Sequence, residues 1–198
     1  MPDPSRYKSK FIQEFEDSIT VKKLVIEKNI TVLEKITEVS LKALQNGKKL
    51  LFCGNGGSAA DSQHIAAEFV SKYKRNRRAL PAIALTVDTS ILTSGGNDFG
   101  YEYIFSRQVE ALGQEGDVLF AISTSGNSPN VLIAVEEAKK KGIVTVGFTG
   151  ESGGKLSDLV DLSFNVPSSD TARIQEVHIT AAHALCDIIE QELCGTDG

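Results

Sequence analysis

Short apolar runs and longer helical stretches alternate along most of the chain. The apolar runs have the length and composition of buried strands, and they occur at 50–53, 82–87, 117–122, 143–148 and 162–166. Helices are predicted after the first run, from Ser58 onward, and then at 101–112, 129–141 and 171–193. Strands that alternate with helices in this way predict a five-stranded parallel sheet with both faces covered, a three-layer α-β-α sandwich of the α/β class.

The stretch before the first apolar run has a helical pattern and no strand pattern. In residues 4 to about 46, the apolar side chains that share one helical face are Ile26, Ile30, Leu33, Leu41 and Leu44, and Gly47 is the expected stop. We therefore expect residues 1–47 to form an N-terminal helical extension of a single domain that spans 1–198. The apolar stripe can pack against this domain or form an interface between subunits, and the two alternatives are compatible.

The segment from Leu50 to Phe69 combines an apolar strand, a glycine turn and an Ala-rich helix. The turn is Gly54-Asn55-Gly56-Gly57, and Ser58 is the expected N-cap of the helix. Such a combination predicts an anion site, because free N–H groups and the positive end of the helix dipole point outward from the turn.

A second polar loop follows the third predicted strand. Ser123, Thr124 and Ser125, with Ser128 as the cap of a helix that begins at Pro129, offer neutral donors to a phosphate. On these residues alone, a phosphate site and an ordinary polar turn remain equally open. The glycine turn, this loop and a predicted loop at 95–100 that contains Asn97 and Asp98 are all expected at the carboxyl edge of the sheet, where ligands bind in such folds.

Other phosphate and nucleophile motifs are weak or missing. The spacing Gly54-x-Gly56-x-x-Ala59 loosely fits the dinucleotide fingerprint, but Lys74 stands where an acidic residue is expected, which argues against a nicotinamide or flavin site. The Ser-Thr-Ser loop lacks the Gly-Lys-Ser/Thr ending of a nucleotide P-loop and the Gly-x-Ser-x-Gly pattern of a nucleophile elbow.

The three histidines all lie in two predicted helices. His64 and Glu68 are four residues apart and share a helical face, while Gln175 and His183 are eight residues apart, about 80° in phase. His178 is less well placed to join them. If the two helices converge, this set of imidazoles, carboxylate and amide suits zinc or a neighbouring divalent ion. From spacing alone, the ordinary alternative of core or surface histidines stays open.

Composition narrows the class of protein. With 41% hydrophobic and 24% charged residues the chain is typical of a soluble globular protein, and its net charge of −5 argues against nucleic acid as a partner. No apolar run has the length of a membrane span, and the polar segment 1–10 is not a signal peptide. The three cysteines show no ligand spacing and indicate reduced thiols in a cytoplasmic protein.

Four segments taken together resemble a known family. They are the motifs that begin Gly54-Asn-Gly-Gly-Ser, Gly96-Asn-Asp-Phe-Gly-Tyr, Ile122-Ser-Thr-Ser-Gly-Asn-Ser and Ala172-Arg-Ile-Gln-Glu-Val-His. In this order they resemble the sugar isomerase (SIS) domain and, within it, the phosphoheptose isomerase family, over nearly the whole chain. The resemblance implies the SIS fold and an enzyme that isomerises sedoheptulose 7-phosphate to D-glycero-D-manno-heptose 7-phosphate, the first step of ADP-heptose and lipopolysaccharide biosynthesis. It also implies a cytoplasmic homotetramer with one zinc ion per subunit.

The resemblance assigns roles to individual residues. The sugar contacts would be Asn55, Gly56, Gly57, Asn97 and Asp98, and the phosphate contacts would be Ser123, Thr124, Ser125 and Ser128. The zinc ligands would be His64, Glu68, Gln175 and His183, with Glu68 and Gln175 also touching the substrate. Glu68 and His183 would form the acid/base pair that moves a proton through an enediolate.

Three questions stay open in this assignment. A metal-bound carboxylate or imidazole is a weaker base, so either the ligation shifts during turnover or fewer residues act as bases. A non-catalytic SIS module that binds sugar phosphates or a protein partner is an alternative function, although it has no need for Glu68 and His183 to converge on one ligand. An isomerase for a five- or six-carbon sugar phosphate is a third candidate on chemistry alone.

Overall fold

A computed structural model describes residues 5–195, with Ser5 described for its backbone only. The first four residues and the last three of the predicted domain 1–198 lie outside the described part. The strands are β1 Leu50–Gly54, β2 Ala82–Ala84, β3 Val118–Ile122, β4 Val144–Thr149 and β5 Leu162–Asn165. The helices are α1 Ser5–Lys28, α2 Ile30–Gln45, α3 Gly57–Val70, α4 Thr89–Asp98, α5 Ser106–Leu112, α6 Pro129–Lys140, α7 Gly154–Leu159 and α8 Thr171–Cys194, with a 3₁₀ turn at Tyr101–Tyr103.

The five strands form one sheet in the order β2-β1-β3-β4-β5, and every described pairing is parallel. The central pair is in register from Leu50 opposite Val118 to Gly54 opposite Ile122. All residues of β1 and β3 are buried, as the continuous apolar runs predict for strands with both faces covered. The predicted five-stranded parallel sheet is therefore confirmed.

Alternate side chains of each central strand enter two separate cores. Phe52 of β1 packs on the face covered by α2, α3 and α8, where its ring stacks on Phe120 with centroids 4.8 Å apart. Leu51 and Cys53 point to the opposite face, where they pack with residues of α5, α6 and α7. This period-two division of one strand between two helical layers confirms the three-layer α-β-α sandwich.

The two N-terminal helices differ in how they pack. The helix axis breaks at Asn29, whose side-chain amide donates to the carbonyl of Asn165 at 3.1 Å. Ile36 and Leu44 of α2 are buried against the sheet and α8, so this part of the stripe packs against its own domain. By contrast, Ile26 of α1 and Ile30 at the start of α2 are 66% and 42% exposed, so the predicted single face is not buried as a unit.

One predicted loop is helical. The segment 95–100 was expected to be a turn because of its glycines, but α4 runs through Asn97 and ends at Asp98. Asp88 provides the cap, since its carboxylate accepts the N–H of Ile91 at 2.9 Å. A good N-cap therefore outweighs the low helix propensity of the glycines near the other end.

The remaining boundaries differ by short distances. The predicted strand 82–87 ends at Ala84, although the N–H of Leu85 still donates to the carbonyl of Phe52 at 2.9 Å. The predicted helix 101–112 is divided into the 3₁₀ turn and α5. Within the described residues, no helix is both long enough and apolar enough to cross a bilayer.

His178 is a buried, neutral histidine of α8 rather than a ligand. Its Nε2–H donates to the carbonyl of Thr149 at 3.1 Å, and its ring packs between Phe148 and Phe164. Burial lowers the pKa of this imidazole to about 4, and the hydrogen bond to Thr149 opposes the shift only in part. Protonation therefore favours the unfolded chain, where the pKa is the ordinary one near 6.5.

We predict that His178 makes the fold sensitive to acid. The stability that comes from keeping this imidazole neutral is fully present above pH 6.5 and is lost as the pH falls toward the folded-state pKa of about 4. The total loss in the free energy of unfolding is about 3 kcal/mol. His178→Gln keeps a donor for Thr149 but does not titrate. Urea unfolding between pH 4 and 7 should show a flatter pH dependence for this variant, and identical slopes for both proteins would contradict the prediction.

Candidate active site

The order of the strands creates a crevice between β1 and β3. The chain leaves β1 through α3 toward β2 on one side, and it leaves β3 through α6 toward β4 on the other side. Two neighbouring strands whose connections run in opposite directions form a topological switch point, the usual ligand position in open α/β sheets. Because Gly54 pairs with Ile122, the glycine turn and the Ser-Thr-Ser loop emerge side by side at this point.

The glycine turn brings bare backbone against a side chain of α8. Gly56 has φ 55° and ψ −121°, a conformation that only glycine adopts easily. A Cβ on Gly57 would lie 2.6 Å from Nε2 of Gln175, so the Gln175 amide packs directly on the turn. The predicted N-cap is wrong, because α3 already begins at Gly57 and Ser58 lies buried inside its first turn.

Asn55 is held by two residues that the sequence analysis did not select. Its amide exchanges hydrogen bonds with the amide of Asn130, at 2.9 and 2.8 Å, and its Oδ1 also accepts the hydroxyl of Tyr101 at 3.0 Å. Asn130 is buried in the first turn of α6. Its place directly after the polar loop and Pro129, and the place of Tyr101 at the end of the Gly96 motif, were signals that could have identified both.

The Ser-Thr-Ser loop gathers three hydroxyl groups. Ser123 Oγ lies 3.0 Å from Ser128 Oγ and 3.5 Å from Ser125 Oγ. Ser123 is buried, whereas Ser125 is exposed. Ser128 is the N-cap residue of α6 as predicted, but its hydroxyl faces Ser123 and makes no capping bond. The three hydroxyl groups and the N-terminus of α6 therefore lie together after the carboxyl end of β3, beside the crevice.

A cavity of about 540 Å³ opens beside this loop. Its lining is rich in hydroxyl groups and is formed by Thr124, Ser125, Asn127, Gly150, Glu151, Ser152, Ser168, Ser169, Thr171 and Ile174. The volume is in the range of small-molecule sites. Glu151 is the one charged side chain among these described lining residues, so an anion here would rely on neutral donors and helix dipoles. Ser168, Ser169 and Thr171 were not predicted from the sequence.

The predicted metal cluster is assembled from two helices. His64 Nε2 of α3 lies 2.8 Å from His183 Nε2 of α8 and 3.5 Å from Glu68 Oε1. These three ligand atoms all lie within 4.8 Å of one another. Two nitrogens on one tetrahedral zinc are about 3.3 Å apart, so the donor types and spacing fit such an ion with only small movements. Gln175 lies on α8 two turns before His183, with its amide at the glycine turn.

Two nearby ionisable groups, Asp61 and Cys186, are not members of the three-residue cluster. Burial raises the pKa of Asp61, and the imidazoles of His64 and His183 partly oppose the shift. Burial also raises the pKa of the Cys186 thiol to about 12, with a smaller contribution from the charge of Glu68. This thiol therefore stays protonated, and it is not a member of the three-residue cluster.

Asn97 and Asp98 precede Tyr101 by four and three residues, and Tyr101 hydrogen-bonds to Asn55. They lie at the carboxyl end of α4, both side chains are exposed, and Asn97 donates to the Asp98 carboxylate at 2.9 Å. The structure therefore brings Gln175 onto the glycine turn and, in a second contact between α3 and α8, brings His64, Glu68 and His183 together. Asn97 and Asp98 lie on the exposed end of α4, where their side chains are in contact with each other.

Comparisons with known proteins agree with the fold and the motifs. The sequence model of the SIS domain matches residues 13–150. A phosphoheptose isomerase from Roseiflexus sp. (strain RS-1) is 58% identical over 182 residues, which cover 92% of each chain. The structure of a phosphoheptose isomerase from Neisseria gonorrhoeae is 44% identical, with a TM-score of 0.89, over 93% of this chain and 99% of that chain. The structure of a phosphoheptose isomerase from Francisella tularensis is 40% identical in sequence, with a TM-score of 0.90, over 93% of this chain and 98% of that chain.

Proposed function

Since the chain belongs to the phosphoheptose isomerase family of SIS-domain proteins, we propose that it converts sedoheptulose 7-phosphate to D-glycero-D-manno-heptose 7-phosphate. This aldose–ketose isomerisation would be the first step toward ADP-heptose for bacterial lipopolysaccharide or another surface polysaccharide. One observation supports it most strongly. Glu68 and His183, which come from different helices, converge with His64 within 4.8 Å.

The reaction requires proton transfer at two adjacent carbons and two oxygens. A base removes a proton from carbon 1 of the ketose, and the resulting enediolate is protonated at carbon 2. We assign the carbon-bound proton to Glu68, whose carboxylate is partly shielded from water. His183 serves the hydroxyl and carbonyl oxygens, for which an imidazole that can donate and accept is suited.

The same residues are proposed to hold one zinc ion per subunit. His64, Glu68 and His183 supply the donors of the described cluster, and Gln175 would add its amide oxygen. When bound, the ion would polarise the substrate carbonyl as a Lewis acid. Glu68 has two carboxylate oxygens, and we propose that it would serve both as a metal ligand and as the base.

The phosphate is assigned to the Ser-Thr-Ser loop. Ser123, Thr124, Ser125 and Ser128 surround the start of α6, where free N–H groups and the dipole favour an anion. The cavity lined by Thr124 and Ser125 also reaches Ile174, whose neighbour Gln175 packs on the glycine turn. Phosphate binding at this end would orient the sugar for chemistry at the other end.

The sugar hydroxyls are assigned to Asn55, Gly56, Gly57, Asn97 and Asp98. Asn55 is fixed by Asn130 and Tyr101, which prepares its amide for a ligand. Asn97 and Asp98 lie on an exposed helix end. We propose that they contact the sugar either when ligand binding moves this helix end or when a neighbouring subunit packs beside it.

We further propose a cytoplasmic homotetramer of single-domain subunits, with residues 1–47 as the helical extension. Phe11, Phe15 and Ile19 form an apolar stripe on α1, and they are 67%, 70% and 50% exposed in the isolated chain. A stripe of this kind is typical of an interface. The acidic net charge and the polar lining of the site give no support to nucleic acid or a membrane as a partner.

We predict that Glu68→Gln abolishes turnover while the fold is retained. Removing a positioned general base lowers kcat by about 10²–10⁴-fold. Glu192→Gln, at the exposed end of α8, is the matched control and should leave kcat unchanged. Steady-state kinetics with sedoheptulose 7-phosphate, with circular dichroism of each variant, make the comparison. Full activity of Glu68→Gln would remove Glu68 from the base role.

Ser125→Ala is expected to weaken substrate binding rather than chemistry. Loss of one hydrogen bond to a charged phosphate should raise KM about tenfold with little change in kcat. Ser90→Ala, at the exposed start of α4, serves as the control. An unchanged KM for Ser125→Ala would place the phosphate elsewhere in the cavity.

A further inference from the structure

The segment after α3 is folded onto α8 by a buried carboxylate. The basic composition of residues 72–78 is typical of a solvated helix end, but α3 ends at Val70 and these residues lie beyond it. Glu190, which is fully buried on α8, accepts the backbone N–H groups of Tyr73 at 2.9 Å, of Lys74 at 3.1 Å and of Arg75. Three consecutive N–H groups on one carboxylate fix the path of the backbone. We call residues 71–77 the strap.

Arg77 connects the strap to the last turn of α3. Its guanidinium donates to the backbone carbonyls of Glu68 and Phe69, each at 2.8 Å. These are among the carbonyls that a helix end leaves without intrahelical partners. Nη2 of Arg77 also lies 3.5 Å from Glu190 Oε2, and both side chains are almost completely buried. The Arg77–Glu190 pair therefore links the turn that carries Glu68 to the helix that carries His183.

The strap lies along one face of α8, and its residue Tyr73 lies over His183. His183, Asp187 and Glu190 are spaced i, i+4 and i+7, so they share that face. Asp187 pairs with Lys74 at 2.8 Å and with Arg75 at 3.3 Å. The ring of Tyr73 stacks on the imidazole of His183, with centroids 5.6 Å apart and planes 25° from parallel.

We propose that the strap is a positioning device for the candidate site. Glu190 and Arg77 set the separation of α3 and α8, and Tyr73 holds the ring of His183 in the orientation that directs Nε2 toward His64 and Glu68. Without the Tyr73 ring, His183 is free to populate other rotamers. Tyr73, Arg77 and Glu190 are positioning residues, because they act through His183 and through the backbone of α3. The catalytic consequence rests on the proposed isomerase function, whereas the orientation of His183 does not.

Tyr73→Phe and Tyr73→Ala test the stacking directly. Phe keeps the ring and Ala removes it, and Tyr7→Ala, an exposed tyrosine of α1, is the control. In metal-free protein, NMR resonances of the His183 ring, assigned with His183→Asn, should move in Tyr73→Ala and stay in place in Tyr73→Phe. This readout needs neither zinc nor turnover. An unmoved His183 resonance in Tyr73→Ala would overturn the proposal.

Zinc affinity and kinetics test the consequence. Competition with a chromophoric chelator should show about tenfold weaker zinc binding in Tyr73→Ala, with wild-type affinity in Tyr73→Phe. Turnover of sedoheptulose 7-phosphate should show kcat about tenfold lower and KM within twofold for Tyr73→Ala, and recovery in Tyr73→Phe. Equal defects in Phe and Ala variants would overturn the role of the ring. Absence of zinc binding and turnover in the wild-type protein would instead reject the proposed function, while the NMR result still decides the orientation of His183.

Glu190→Gln tests the anchor of the strap. A glutamine amide has one acceptor oxygen where the carboxylate has two, so it can accept fewer hydrogen bonds from the backbone N–H groups of the strap. The variant should therefore show the same His183 resonance shift and the same loss of zinc affinity as Tyr73→Ala, although the Tyr73 ring is present. Where this variant does not fold, the Tyr73 pair alone decides the proposal. A folded Glu190→Gln protein with wild-type zinc affinity and wild-type His183 resonances would overturn the anchoring role.

Discussion

The adjacency of β1 and β3 is the constraint on which the rest of the site depends. These two strands are fully buried and pair in register over five residue pairs, up to Gly54 and Ile122. Since their connections leave in opposite directions, two loops and the N-termini of α3 and α6 face one crevice. The sheet therefore supplies the anion-binding end of the site before any individual side chain is considered.

The chemical end of the site depends on the packing of α3 against α8. Ile65 and Phe69 of α3 and Val177 of α8 belong to the same apolar core, which fixes the helices beside one another. His64 and His183 lie at the margin of this core, partly exposed, where a polar cluster is less costly than in the interior. Gln175 of α8 reaches the anion-binding end of the site, because its amide lies on the glycine turn.

The sequence predicted those features that depend on local pattern. The apolar runs identified the five strands, and the four family motifs predicted the fold and the residues of the candidate site. Features that depend on distant partners were missed. The strap is organised by Glu190, which is 115 residues away from Arg75 in sequence, so no local pattern indicates that its basic residues leave the helix. Asn130 was missed for a similar reason, because its partner Asn55 is 75 residues away.

Residues of α3 and α8 are proposed to move a proton between two carbons of a bound sugar phosphate. The most direct measurement follows sedoheptulose 7-phosphate by NMR in D₂O, with the zinc-loaded protein. Proton transfer through an enediolate predicts an aldose product that carries deuterium at carbon 2. Binding of the sugar phosphate without product and without exchange would contradict the account and would favour a sugar-phosphate binding module.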